Sequence, residues 1–177
     1  MKLSTRQDIE VPLAQAFSAF ADIEGWERAA LRRGAEVTRI NPPGGVGVGV
    51  GMGWLVDFTY RGKARKLSIT LAALDAPDRI VATGTSKMID GTLTLEFLEL
   101  GARRTRVTIG TELKPNTLSA RLFLKSLRLA KAKVNNAYEA RVAGVCRAIE
   151  NRHPVAPDVS PRSGQPRSGQ PRARSEG

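Results

Sequence analysis

The stretch from Asn116 to about Arg152 limits what this chain can fold into more than any other. After Lys114-Pro115-Asn116-Thr117 it runs about thirty-five residues with no proline and only Gly144 as a weak interruption, which predicts one long helix. Apolar residues recur at Phe123, Leu127, Ala130, Val134, Ala137, Tyr138, Val145 and Ile149, near the spacing that places them on one stripe. Arg121, Lys125, Arg128 and Lys133 take the remaining circumference, with Lys131 at the border. Arg141 departs from this pattern: seven residues after Val134, it falls nearly in line with it. At ~1.5 Å per residue the helix would be roughly 50 Å long, so its stripe needs a broad surface to lie on.

The residues before it supply that surface as strands. Residues 2–10 alternate, with Leu3, Thr5, Gln7 and Ile9 to one side, and read as an edge-like strand. Pro12 ends it, and Leu13, Ala16, Phe17 and Phe20 follow at helical spacing. Asp22 is placed to cap a second short helix with Trp26, Ala29 and Ala30 facing inward, and Gly34 to stop it. A short strand covers Ala35 to Ile40, then Asn41-Pro42-Pro43-Gly44-Gly45 breaks the chain.

The glycine-rich run Val46 to Gly53 invites a phosphate-loop reading, which its spacing rejects. Wherever glycines stand at i and i+2, position i+5 holds Val50, Met52, Trp54 or Val56 rather than glycine. A P-loop ending at Gly62-Lys63 would need glycine at Asp57 and Ser or Thr at Ala64. The run reads instead as a flexible loop or bulged strand entry.

From Trp54 the alternation is strongest. Trp54, Val56, Phe58 and Tyr60 share a face, Gly62 supplies a turn, and Leu67, Ile69, Leu71 and Ala73 answer them on the next strand. Asp75-Ala76-Pro77-Asp78 turns into a strand from Arg79 to about Ser86. Leu93, Leu95 and Phe97 mark another, and Arg104 to Leu113 closes the set with Thr105, Val107, Ile109 and Thr111 on one side. The order is strand, two helices, about six strands and a long terminal helix, an α+β arrangement.

Composition narrows the function. With 177 residues and 41% hydrophobic content the chain can bury one real core, read as residues 1–152. Residues 153–177 carry Pro161-Arg162-Ser163-Gly164-Gln165 followed by Pro166-Arg167-Ser168-Gly169-Gln170, a composition that cannot bury enough surface to order itself. That basic tail is expected to be disordered, with weak contact to an anionic surface as the one partner it suggests. No apolar run is long enough to span a membrane, no secretory signal is seen, and the lone Cys146 forms no internal disulfide, leaving a reduced cytoplasm as the default compartment. The net charge of +11 is mostly carried by the body. Its basic residues are dispersed and aromatics are only 5%, so nucleic-acid binding is disfavoured.

Catalytic and metal chemistry have few candidates. His153 is the only histidine, which removes His-based nucleophilic or metal clusters. No cofactor motif is present. Cys146 reads as a small buried or flanking side chain, and Asp57 as an outer-face charge. Tyr138 and Asn135 can present polar groups to a ligand from the helix, and Tyr138 can equally be core filler with a bonded hydroxyl. Arg141 can meet an anionic ligand group or reach past the stripe to water.

The order of elements, with Ile9-Glu10-Val11-Pro12, Ala16-Phe17, Ala21-Asp22 and Trp26, the glycine-rich Gly44 to Gly53, and Arg104-Thr105-Arg106-Val107-Thr108, resembles the START-like (SRPBCC) superfamily over about residues 2–151. That superfamily includes lipid-transfer domains, polyketide cyclases, pollen-allergen-like plant proteins and coenzyme Q-binding proteins. The resemblance implies a helix-grip fold: a curved antiparallel sheet of about seven strands wrapped on the C-terminal helix, with a hydrophobic cavity between. Relatives of the carbon monoxide dehydrogenase-associated kind carry a hydrophobic anchor that this sequence lacks.

The residues support a cavity independently. A sheet face of Trp54, Val56, Phe58, Tyr60, Leu67, Ile69, Leu95 and Phe97 opposes a helix carrying Leu127, Val134 and Tyr138 but also the small Ala130, Ala137 and Gly144. Large side chains against small ones also describe a closed core, so both outcomes stand. The expected function is binding or transport of a small hydrophobic molecule such as a lipid, quinone or polyketide-like compound. The alternatives are a cyclase/dehydrase-like enzyme and a basic adaptor for RNA or ribosome.

Overall fold

The structure is a computed structural model that describes residues 1–41, 49–60, with Tyr60 as backbone only, and 62–152. Most of the glycine-rich run (42–48), Arg61, His153 and the expected tail lie outside the described residues.

Seven strands form one antiparallel sheet. They are β1 (Lys2–Ile9), β2 (Glu36–Ile40), β3 (Gly53–Tyr60), β4 (Lys63–Asp75), β5 (Arg79–Thr85), β6 (Ile89–Gly101) and β7 (Arg104–Pro115), in the order β1-β7-β6-β5-β4-β3-β2. β1 is an edge, as its polar alternate face requires: Leu3, Thr5, Gln7 and Ile9 turn inward while their neighbours are exposed. The long β4 and β6 each slip register once, at Leu71/Ala73 and Glu99/Gly101. Such slips bend a strand and help a sheet curl. Gly62, at φ 72°, makes the β3–β4 turn in a conformation that other residues adopt at a cost.

Helices α1 (Leu13–Phe20) and α2 (Ile23–Leu31) follow β1. The Asp22 side chain accepts the Gly25 N–H at 2.9 Å, capping α2 as its position predicts. At one end of the concave face α1 closes the core. Phe17 and Phe20 each meet Phe97 edge-on at 5.5 Å, and the buried Thr105 hydroxyl donates to the Val11 carbonyl at 2.7 Å. Ile9, Val11, Ala16 and Val107 are sealed beside them.

The C-terminal segment departs from the expected single rod. It forms α3 (Leu118–Leu129) and the longer α4 (Lys131–Arg152), separated at Ala130, whose φ −99° and ψ 29° leave the helical region. No proline or glycine announces the break. A straight rod of roughly 50 Å cannot follow a curved sheet along its whole length, and the interruption lets each segment seat its own residues. α3 buries Ala120 and Leu124, α4 buries Val142, Cys146 and Ile149. Phe123, Ala130 and Ala137, expected on the buried stripe, are exposed.

Candidate functional site: an apolar cavity between sheet and helix

Strand alternation sends every second side chain of the central strands to the concave face. On that face Trp54 and Val56 of β3 stand beside Ile69 and Leu71 of β4, since Trp54 pairs with Ile69 and Val56 with Leu67. Ile80 and Ala82 of β5, Leu93 and Leu95 of β6 and Ile109 of β7 continue the floor. Tyr138, Val142 and Val145 of α4 roof it, and Phe20, Ile23 and Ala30 wall it from α1 and α2. They enclose a cavity of about 500 Å³, within the range that holds a drug-sized molecule. Trp26, which donates its indole N–H to the Phe20 carbonyl at 2.9 Å, also lines it and is 42% exposed.

Polar groups in this lining are few. Glu27 of α2 accepts from Arg39 Nε at 2.8 Å and Nη2 at 2.7 Å, and from Trp54 Nε1 at 2.6 Å. The Arg39 bonds, aided by the Trp54 bond, outweigh partial burial and hold the Glu27 carboxyl below its ordinary range. Its oxygens are thereby occupied, so it is a strut between α2 and β2–β3 rather than a free base. The Tyr138 hydroxyl bonds Thr111 Oγ1 at 2.9 Å and donates to the Ile109 carbonyl at 3.4 Å. Arg141 reaches the lining from an exposed position, and it has no ion-pair partner among the described residues.

Among the described residues no group of three or more His, Cys, Asp or Glu side chains is arranged to hold a metal. Cys146 is buried outside the cavity lining; burial, with a smaller push from Glu150, raises its thiol to about 11. A thiol so placed is not a nucleophile at neutral pH. Asp57 faces outward and pairs with Lys66 at 3.1 Å.

Of the residues singled out in the sequence, Trp54, Val56, Ile69, Leu95 and Tyr138 line the cavity. Phe97 faces the same side but is packed by Phe17 and Phe20 beyond the cavity's end. Phe58 and Leu67 are half-buried toward the β3–β4 turn, past the lining at the other end. Leu127 and Val134 are half-buried on either side of the α3–α4 break and do not reach it. The side chain of Tyr60 lies outside the described residues. Alternation identifies a face, whereas the extent of the cavity along that face depends on where α1 and α3 cover it.

The contribution of α2 was missed. Ile23, Glu27 and Ala30 lie at i, i+4 and i+7, one face of a helix, and a carboxylate on an apolar stripe is the available signal. A buried tryptophan seeking a partner for its N–H is the second.

No protein-family model matches this chain, and no curated protein does. Solved structures do. The Zhui aromatase/cyclase from Streptomyces sp. R1128 superposes with a TM-score of 0.63 at 14% identity, covering 89% of this chain and 98% of that one. TTHA0849 from Thermus thermophilus gives 0.61 at 15% identity over 86% and 99%. Ara h 8.0201 gives 0.54 at 12% identity over 86% and 96%. The chain therefore has the helix-grip fold of START-like proteins, seen across nearly the whole length of each of these structures.

Proposed function

We propose that this chain binds a small, largely apolar molecule in the cavity between the sheet and α4, as a carrier or sensor. The observation that carries the reading is a cavity of about 500 Å³ whose lining is nearly all hydrocarbon, with its one carboxylate already bonded. Burying apolar ligand surface there contributes about 25 cal/mol per Å². Lipid, quinone and polyketide-like molecules all fit that chemistry. Helix-grip proteins of very different sequence, one of them named an aromatase/cyclase, share the architecture.

A cyclase-type enzyme is the second reading, favoured by the Tyr138 hydroxyl held at the cavity by Thr111. Binding without reaction is preferred because the only histidine, His153, follows α4 in the chain, and because the Glu27 oxygens are engaged. An RNA or ribosome adaptor has only the dispersed positive charge in its favour.

Native mass spectrometry of protein purified without detergent, followed by solvent extraction, should release an apolar molecule at up to one equivalent. The emptied protein should bind the neutral dye N-phenyl-1-naphthylamine. A folded protein that holds neither would end the proposal.

A further inference from the structure

Helix α3 carries two opposed apolar faces, of which the fold uses one. Ala120 and Leu124 point inward and are 0% and 3% exposed. Leu118, Leu122 and Leu129 lie on the far side of the same helix and are 71%, 60% and 87% exposed. At ~100° per residue these three leucines fall within about 40° of one another and point away from the protein body. Arg121, Lys125 and Arg128 occupy the adjoining arc, with Ser119 and Ser126 on the other flank.

Charge in this region has one sign. From Leu113 to Tyr138 the sequence holds Lys114, Arg121, Lys125, Arg128, Lys131 and Lys133 and no acidic residue. None of these six forms an ion pair among the described residues. Nothing in the fold calls for leucines in water beside unneutralised cations.

We propose that α3 is a docking surface for an anionic lipid bilayer, lying along it with Leu118, Leu122 and Leu129 in the acyl boundary and the flanking cations among the headgroups. Such a surface satisfies both halves of the pattern together: it removes leucine from water and supplies negative charge. A second copy of the same face would bring six unneutralised cations against six. Nucleic acid would neutralise the charge and leave the leucines wet. The helix lies outside the cavity lining, so the inference stands whether or not the cavity binds a ligand.

The test is flotation of the full-length chain with vesicles of phosphatidylcholine alone or with 30% phosphatidylserine. Binding is expected only with phosphatidylserine present and should weaken as salt is raised. Replacing Leu118, Leu122 and Leu129 with serine should lower it roughly tenfold or more. The melting temperature should be unchanged, because these side chains are solvent-exposed in the fold. Changing Arg162, Arg167, Arg172 and Arg174 to Gln should leave most of the binding in place. The proposal fails if the serine variant floats as well as the parent, if the tail substitutions abolish flotation, or if no vesicle is bound. It fails equally if the parent is a dimer that the serine variant dissolves, or if α3 binds RNA in preference to vesicles.

Discussion

Arg141 stands at the cavity as a cation with no ion-pair partner among the described residues, within reach of whatever occupies the space below it. A neutral and an anionic dye of the same ring system separate its role from that of the apolar lining. Arg141→Gln should weaken 8-anilinonaphthalene-1-sulfonate by roughly fivefold to tenfold, the effect of about 1–1.4 kcal/mol for a partly exposed charge-assisted contact. The same change should leave N-phenyl-1-naphthylamine nearly unaffected. Equal loss of both dyes in a fluorescence titration would show that the side chain acts by packing alone.

Glu27 gives a second test, with a definite sign. Its carboxyl is held below the ordinary range by Arg39 and Trp54. The stability it contributes is therefore fully present above the unfolded-state value of about 4.3 and is lost as pH falls through the folded-state value. Glu27→Gln should cost about 1 kcal/mol at pH 7, with the gap to the parent closing on acidification. Urea unfolding at pH 7 and pH 3 measures both. Asp8, lowered by its bond to Arg106, titrates in the same direction in both proteins, so their difference isolates Glu27. A gap that persists at pH 3 would mean the network is held by shape rather than charge.

At the scale of elements, the strands were readable because period-2 alternation is local: β1, β3, β4 and β7 fall where the alternation places them. The helices α1 and α2 were readable for the same kind of reason, from Pro12, Asp22 and Gly34 acting as punctuation. The break at Ala130 was not, because alanine and leucine favour helix and only the curvature of the sheet beneath opposes it. α3 and α4 should accordingly behave as separable units. The Thr117 side chain accepts the Ala120 N–H at 3.2 Å and caps α3. Thr117→Ala should cost α3 about 1 kcal/mol, seen as faster amide exchange over residues 118–129 with α4 unchanged. Protection lost evenly across both helices would show one cooperative rod.

For the whole molecule, the space enclosed between sheet and α4 is the property on which the proposed function rests. Ala82 of β5 faces it with a small side chain in the middle of a larger lining. Ala82→Trp should occupy much of that space and lower dye affinity roughly tenfold or more, while thermal stability stays close to the parent's. Overpacking a filled core instead costs about 1–3 kcal/mol, so a large drop in melting temperature would mean the room is not there.

What the sequence determined by itself is the set of pieces and the face each would turn inward, because a side chain's direction follows from the period of its own backbone. The alternation of Trp54 and Val56, and of Ile69 and Leu71, already placed them on the concave side. Only the tertiary structure decided how far along that side the hollow extends. That depends on α1 aromatics meeting Phe97, on α2 bringing Glu27 to Trp54, and on a bend that takes Leu127 and Val134 out of reach. These are distances between residues far apart in the chain, and no local pattern encodes them.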